Sequence, residues 1–232
     1  MRALAELYDA EAELDSGRRS PQGRLRVSAP VVFGRHCVAP VLRELAARHP
    51  QLQIEISFND RVVDLIEEGY DLGIRIGALP DSASLVARRL GLQTMGIGAS
   101  PAYIAAHGRP QTLDEMRQHV GVAYARGGVE KGWSLMEADG EVVQLRVPPR
   151  LRMDDLQAIA DAAIAGAGLA WLPCWMLSHY VRTGELDVLM HGDRMAAQPV
   201  HAVWPQARYL PSKTRTAIDA LAERVPAMLA TW

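Results

Sequence analysis

RLRVSAPVVFGRHCVAPVLRELAARHP at residues 24–50, followed by LQIEISFNDRVVDLIEEGYDLGIRIG at 52–77 and LVARRLG at 85–91, decides the fold class. The first piece opens with a short alternating strand over 24–29 that stops at Ser28-Ala29-Pro30. It continues into an amphipathic helix over 34–48. A second strand over 52–57, a helix over 61–67 and a third strand over 71–75 complete the pattern. Strand, helix, strand, helix, strand in this order predicts a parallel α/β unit, whose loops after the strands face a ligand cleft.

Outward from this unit, the spacing predicts further helices near 101–107, 112–117, 154–166, 174–182 and 211–224, and strands near 84–99, 121–124, 141–147, 168–172 and 198–204. Asp154-Asp155 ahead of Leu156 place acidic groups at a helix start, and Gly166 and Gly168 end that helix before the buried strand Leu169 to Leu172. Leu4, Leu7 and Leu14 read as the tail of an amphipathic helix over residues 3–15, and a polar linker from Asp15 to Gly23 follows it.

At 232 residues and 49% hydrophobic, the chain can bury one substantial core or two smaller ones. Its formal net charge of −2 supplies no broad basic field, so the chain is not expected to hold a nucleic-acid backbone by itself. Cys37 and Cys174 lie far apart and in no metal-ligand spacing, and the seven histidines are scattered, so neither a disulfide framework nor a metal site is expected. No export signal and no run of about 20 apolar residues is visible, which fits a cytoplasmic location without a membrane span.

Residues 24–101, continued by ASPAYIAAHG at 99–108 and on to the end of the chain, resemble the effector-binding domain of LysR-type transcriptional regulators. The resemblance implies an α/β fold of two Rossmann-like lobes joined by two crossover strands, similar to type 2 periplasmic binding proteins. Lobe I would then comprise 23–99 plus 205–232, and lobe II 100–204 with the return hinge strand. Residues 1–22 would be the end of a dimerising linker helix and a linker. A winged helix-turn-helix is expected upstream of this sequence, and DNA would be contacted only through it. The resemblance also implies a homodimer, with a tetramer open to the longer protein, and a small-molecule effector held between the lobes. Helices 34–48 and 154–166 of two subunits are expected to pack antiparallel, because Val38, Val41, Leu42 and Leu45 on one and Leu156, Ile159, Ala163 and Ile164 on the other form apolar stripes.

Ser28 and Pro30 sit where a strand gives way to a helix, so a hydroxyl and free backbone N–H groups can meet a carboxylate there. Ser28 as a plain helix cap is the alternative. Ser100 and Pro101 repeat the arrangement, as cap and first-turn proline of the next helix. Phe33 is expected as an apolar wall. Arg126, in a loop with Gly127-Gly128, can pair bidentately with an anion. Met153 and Asp154 lie at a strand-to-helix junction where the family places effector contacts, with Asp154 as an ordinary cap the alternative. Trp133 and Trp171 read as core or rim aromatics. No cofactor is expected, because Gly96-Ile97-Gly98 lacks the third glycine of a dinucleotide fingerprint. His36 and Cys37 diverge on their helix, and no acid, base and nucleophile converge, so catalysis is not expected. A stand-alone solute-binding protein of a transporter shares the fold and is the runner-up reading.

Overall fold

The computed structural model describes residues 20–136, 141–190 and 195–230. The expected linker helix over 1–16 lies outside the described residues. Among these the chain divides into two units: one runs to Gly91 and resumes over Pro199–Met228, and the other spans Leu92–Gln198.

In unit 1, β1 (Gly23–Ala29) pairs in parallel with β2 (Leu52–Phe58) on one side and with β3 (Leu72–Ile76) on the other. An antiparallel strand, β13 (Gln198–Pro205), joins β3, and β4 (Leu85–Gln93) closes the sheet in the order β2-β1-β3-β13-β4. The helix after β1 begins at Val31 and not at Gly34: Val31–Phe33, a π-helical turn Gly34–Val38 and Ala39–Arg48 run on without a break as α1. Pro40 explains the wide turn. It has no N–H to give to His36 and its ring crowds that carbonyl, so the ladder shifts and Ala39 N–H bonds to Gly34 O instead. A Cβ at Gly34 would lie 2.6 Å from the half-exposed Phe58 ring, so a larger residue there requires that ring to move.

The expected helix over 61–67 is absent; the segment is a series of turns. A single turn remains there: Asp64 Oδ1 accepts from the N–H groups of Ile66 and Glu67 at 2.9 and 3.0 Å, as a helix cap does, Asp64 O accepts from Glu68 N–H at 3.0 Å, and Gly69, at a φ of 68°, ends the turn. Leu65 seals the turn onto the sheet by filling the space over Gly73.

The apolar stripes on α1 are consumed inside the chain: Val38, Val41, Leu42 and Leu45 are all at most 2% exposed. The same holds for Ile159 and Ala163 on α4 (Leu156–Ile164). Leu156 and Ile164 on the same helix are only half-buried, so the α1 stripe alone is fully used inside the chain. A groove of about 390 Å³ does lie between α1 and α6 (Ser212–Leu229), bounded by Glu44, Arg48, Glu223 and Arg224.

In unit 2 the expected strand 84–99 is two strands, because the chain breaks at Thr94, whose carbonyl accepts from Cys174 N–H. The second piece, β5 (Met95–Ala99), runs antiparallel to β11 (Leu169–Pro173) and to β12 (Asp187–Met190). β6 (Gly121–Arg126) is parallel to β11 and to β10 (Pro149–Met153), giving the order β10-β6-β11-β5-β12. Short strands β7 (Val129–Glu130), β8 (Trp133–Met136) and β9 (Val142–Leu145) add two hairpins. α2 (Pro101–His107), α3 (Leu113–Met116), α4 and α5 (Cys174–Arg182) flank the sheet. Trp133 and Trp171 belong to the core between β5, β11 and the β8–β9 hairpin.

Candidate functional site

Parallel strands concentrate ligand-reading groups at their carboxyl ends, where the loops and helix starts gather. In unit 1 that edge is formed by Ala29-Pro30-Val31 after β1, Asn59-Asp60 after β2 and Gly77 after β3. Ser28, 5% exposed, lies within it but caps nothing. The first helical N–H, that of Val31, donates instead to Asp60 Oδ1 at 3.0 Å, and Pro30 offers no side-chain cap. The helix start therefore already holds the chain's own carboxylate, which is what the positive end of the dipole favours. Ser28 Oγ has no hydrogen-bond partner among the described residues. Phe33 is buried at 2% and cannot be the apolar wall; the half-exposed ring at this edge is Phe58, lying on Gly34.

In unit 2 the carboxyl ends of β6 and β10 bring Arg126, Met153 and Asp154 to one edge, since Met153 pairs with Tyr124 in register. Arg126 lies not in an open loop but at the root of a hairpin, paired with Val129 across the turn Gly127-Gly128, whose φ values of 56° and 79° suit glycine. No carboxylate pairs with Arg126 among the described residues. Asp154 is exposed and free of capping duty, because Asp155 Oδ1 accepts from Ala158 N–H at 2.8 Å.

Ser100 and Pro101 sit elsewhere. β5 is antiparallel to β11, so its end falls level with Gly121 and Leu169, where the parallel strands begin. Met153 is level with Tyr124, three residues or about 10 Å further along β6. A Cβ on Gly166, just past the end of α4, would lie 3.8 Å from Ser100 Oγ, whereas Met153 and Asp154 precede the start of the same helix. Ser100 Oγ accepts from Tyr103 N–H at 3.3 Å and so serves as the cap of α2, with Pro101 in its first turn. Within unit 2, then, Ser100 and Pro101 do not share a sheet edge with Arg126, Met153 and Asp154.

Around Ser100 the polar groups are matched to each other. Tyr103 hydroxyl accepts from Val120 N–H at 3.2 Å and meets His119 Nδ1 at 3.1 Å, while His107 stacks on the same ring at 4.3 Å. Burial, and next the neighbouring His107, hold the His119 pKa below its ordinary value, with Glu115 opposing. Burial pushes the Cys37 thiol up to about 12.

Asn59, Asp60 and Phe58 were not singled out from the sequence. Applying the rule for strand ends to β2 as well as β1 would have pointed to them. Among the described residues no group of three His, Cys, Asp or Glu side chains is placed to hold a metal ion, and no helix is long and apolar enough to cross a membrane.

The LysR substrate binding domain family matches residues 18–226. An uncharacterized HTH-type transcriptional regulator of Haemophilus influenzae is 35% identical over 210 residues, covering 90% of this chain and 72% of the relative. An HTH-type transcriptional repressor of Pseudomonas aeruginosa is 31% identical over 222 residues, covering 95% and 69%. Among solved structures, the CrgA regulatory domain of Neisseria meningitidis superposes with a TM-score of 0.76 at 25% identity over 88% of this chain and all of that one. The full-length virulence activator AphB of Vibrio cholerae gives 0.74 at 24% identity over 96% and 75%. These relatives are named as transcriptional regulators, which does not favour the transporter alternative. With its two α/β units and a match along most of its length, the chain belongs to the LysR family and is the effector-binding domain of a LysR-type transcriptional regulator.

Proposed function

We propose that this domain senses a small carboxylate-bearing effector, with Ser28 and Pro30 the candidate contacts in unit 1 and Arg126, Met153 and Asp154 those in unit 2. The observation that carries the reading is Arg126: a half-buried residue at the carboxyl edge of the unit 2 sheet, its guanidinium without a carboxylate partner among the described residues. Such a group is suited to a bidentate grip on a planar anion. Effector binding would favour one of two arrangements of a homodimer, and through it the spacing of DNA-binding heads carried by an amino-terminal domain. The reading is of a cytoplasmic sensor that performs no catalysis, consistent with relatives named as regulators.

A thermal-shift screen of small carboxylates, followed by calorimetry on the hits, tests this. Arg126→Gln should weaken the best hit by roughly tenfold or more, the range for a lost bond to a charged group. Unchanged affinity in Arg126→Gln, with the melting temperature also unchanged, would place the effector elsewhere.

A further inference from the structure

Directly opposed ladder residues share a face, so the register assigns each side chain of the unit 1 sheet to one side. On the side opposite α1 lie Arg26 and Ser28 of β1, Ser57 of β2, Gly73 and Arg75 of β3, and His201 and Val203 of β13. The contacts agree: Arg26 donates to the carbonyls of Glu68 and Gly69 in the 61–70 turns, Arg75 Nη2 donates to Val63 O at 2.8 Å, and Leu65 covers Gly73. Towards the carboxyl edge this face ends in a polar row. Arg75 and His201 are ladder partners, Ser28 faces Gly73 one step deeper, and Asn59 follows Ser57 in the alternation.

This row is unusually short of partners. Among the described residues, His201 Nδ1 and Asn59 Oδ1 are buried without a hydrogen bond, and Ser28, a residue 5% exposed, makes none through its Oγ. No carboxylate pairs with Arg75 among the described residues, and a second cation, Arg89, lies close enough to bear on His201. Buried polar atoms are normally satisfied, so several orphans beside one unpaired guanidinium call for a ligand that brings the missing groups. The chain's own Asp60 meanwhile occupies the helix start a few ångströms of backbone away.

Resting on the sensor reading above, the geometry points to Arg75 and His201, with Ser28 and Asn59, as the part of unit 1 that reads a ligand's carboxylate, in place of the backbone N–H groups at the start of α1. Arg75 supplies the cation, and His201 and the Ser28 hydroxyl supply directional donors. Asn59 Oδ1 accepts, so the ligand matched to the row is a monocarboxylate that also carries a hydroxyl or amine donor. Asp60 sets the sign: a second negative charge on the ligand, or one placed over Val31, meets a carboxylate.

The probe is mandelate, a monoanion with a hydroxyl beside its carboxylate, compared with mandelamide and phenylacetate. Side-chain nitrogen spectra of the 232-residue chain are recorded during titration. Mandelate should move the His201 ring and Arg75 signals; phenylacetate should do so at higher concentration, and mandelamide not at all. His201→Asn leaves the Arg75–Val63 bond intact and should weaken mandelate by about tenfold, with Arg75→Lys weakening it while keeping a cation. Backbone spectra confirm that both variants are folded. Mandelate and mandelamide acting alike, no response of unit 1 at millimolar mandelate, or full affinity in both variants would each overturn the assignment. Shifts confined to Arg126 and its neighbours would overturn it while leaving the sensor reading standing.

Discussion

At the scale of single residues, two substitutions separate architecture from recognition. Ser100 caps α2 through Tyr103 N–H, at the end of the unit 2 sheet away from Met153 and Asp154. Ser100→Ala should therefore lower stability by about 0.5–2 kcal/mol, the usual range for a lost cap, and leave effector affinity unchanged. Chemical denaturation and calorimetry on the same variant check both halves; weakened binding at full stability would return Ser100 to the ligand. Gly168 shows a harder constraint. Its φ is 151°, and a Cβ there would lie 2.5 Å from the carbonyl oxygen of Val120, a backbone atom that cannot swing aside. Gly128 has a φ of 79° with open space around it. Gly168→Ala should thus cost roughly 3 kcal/mol or more through backbone displacement, against about 1–2 kcal/mol of conformational strain for Gly128→Ala. Equal melting temperatures for the two variants would contradict the steric argument.

Elements show how much of the fold was legible and where legibility stopped. The β1-α1-β2-β3 run was readable because buried parallel strands and an amphipathic helix leave strong periods in the sequence. The 61–70 segment was misread because its apolar residues keep helical spacing, while Gly69, at a φ of 68°, closes it after one turn and Arg26, far along the chain, holds its carbonyls. β10 and β12 left no period of their own: they are edge strands defined by pairing, and β10 opens with Pro149 and carries the exposed Arg150 and Arg152. The end of the unit 2 sheet on which Ser100 falls was illegible for the same reason, since it follows from an antiparallel pairing that local sequence does not encode. Because the 61–70 turns are held by donated bonds, they should open as a unit. Arg26→Ala removes the guanidinium that binds the carbonyls of Glu68 and Gly69. At about 1.5–3 kcal/mol for bonds from a charged donor, the amides of Glu68, Gly69 and Tyr70 should exchange roughly ten- to a hundredfold faster, with β1 and β3 much less affected. Uniform acceleration across unit 1 would instead mean that Arg26 supports the whole sheet.

Over the whole molecule, each unit buries one imidazole at a loss of basicity. In unit 1, burial and then Arg89 hold His201 below its ordinary pKa of 6.5. In unit 2, burial and then His107 do the same to His119, with Glu115 opposing and the Tyr103 hydroxyl meeting its Nδ1. A group with a lower pKa in the folded chain than in the unfolded one binds fewer protons when folded, so acid favours unfolding between the two values. The stability these groups contribute is fully present above about pH 6.5 and is lost as the pH falls through their folded values. Urea unfolding should show a lower midpoint at about pH 5.5 than at about pH 7.5, a window that stays above ordinary carboxylate titration. His201→Asn should flatten the dependence of unit 1, followed by its own amide exchange, and His119→Gln that of unit 2. A midpoint that rises on acidification would contradict the assignment of the slope to these two imidazoles. If the polar row of unit 1 reads a carboxylate through His201, an effector bound there should also blunt the acid loss in that unit alone, because a bound anion favours the protonated ring.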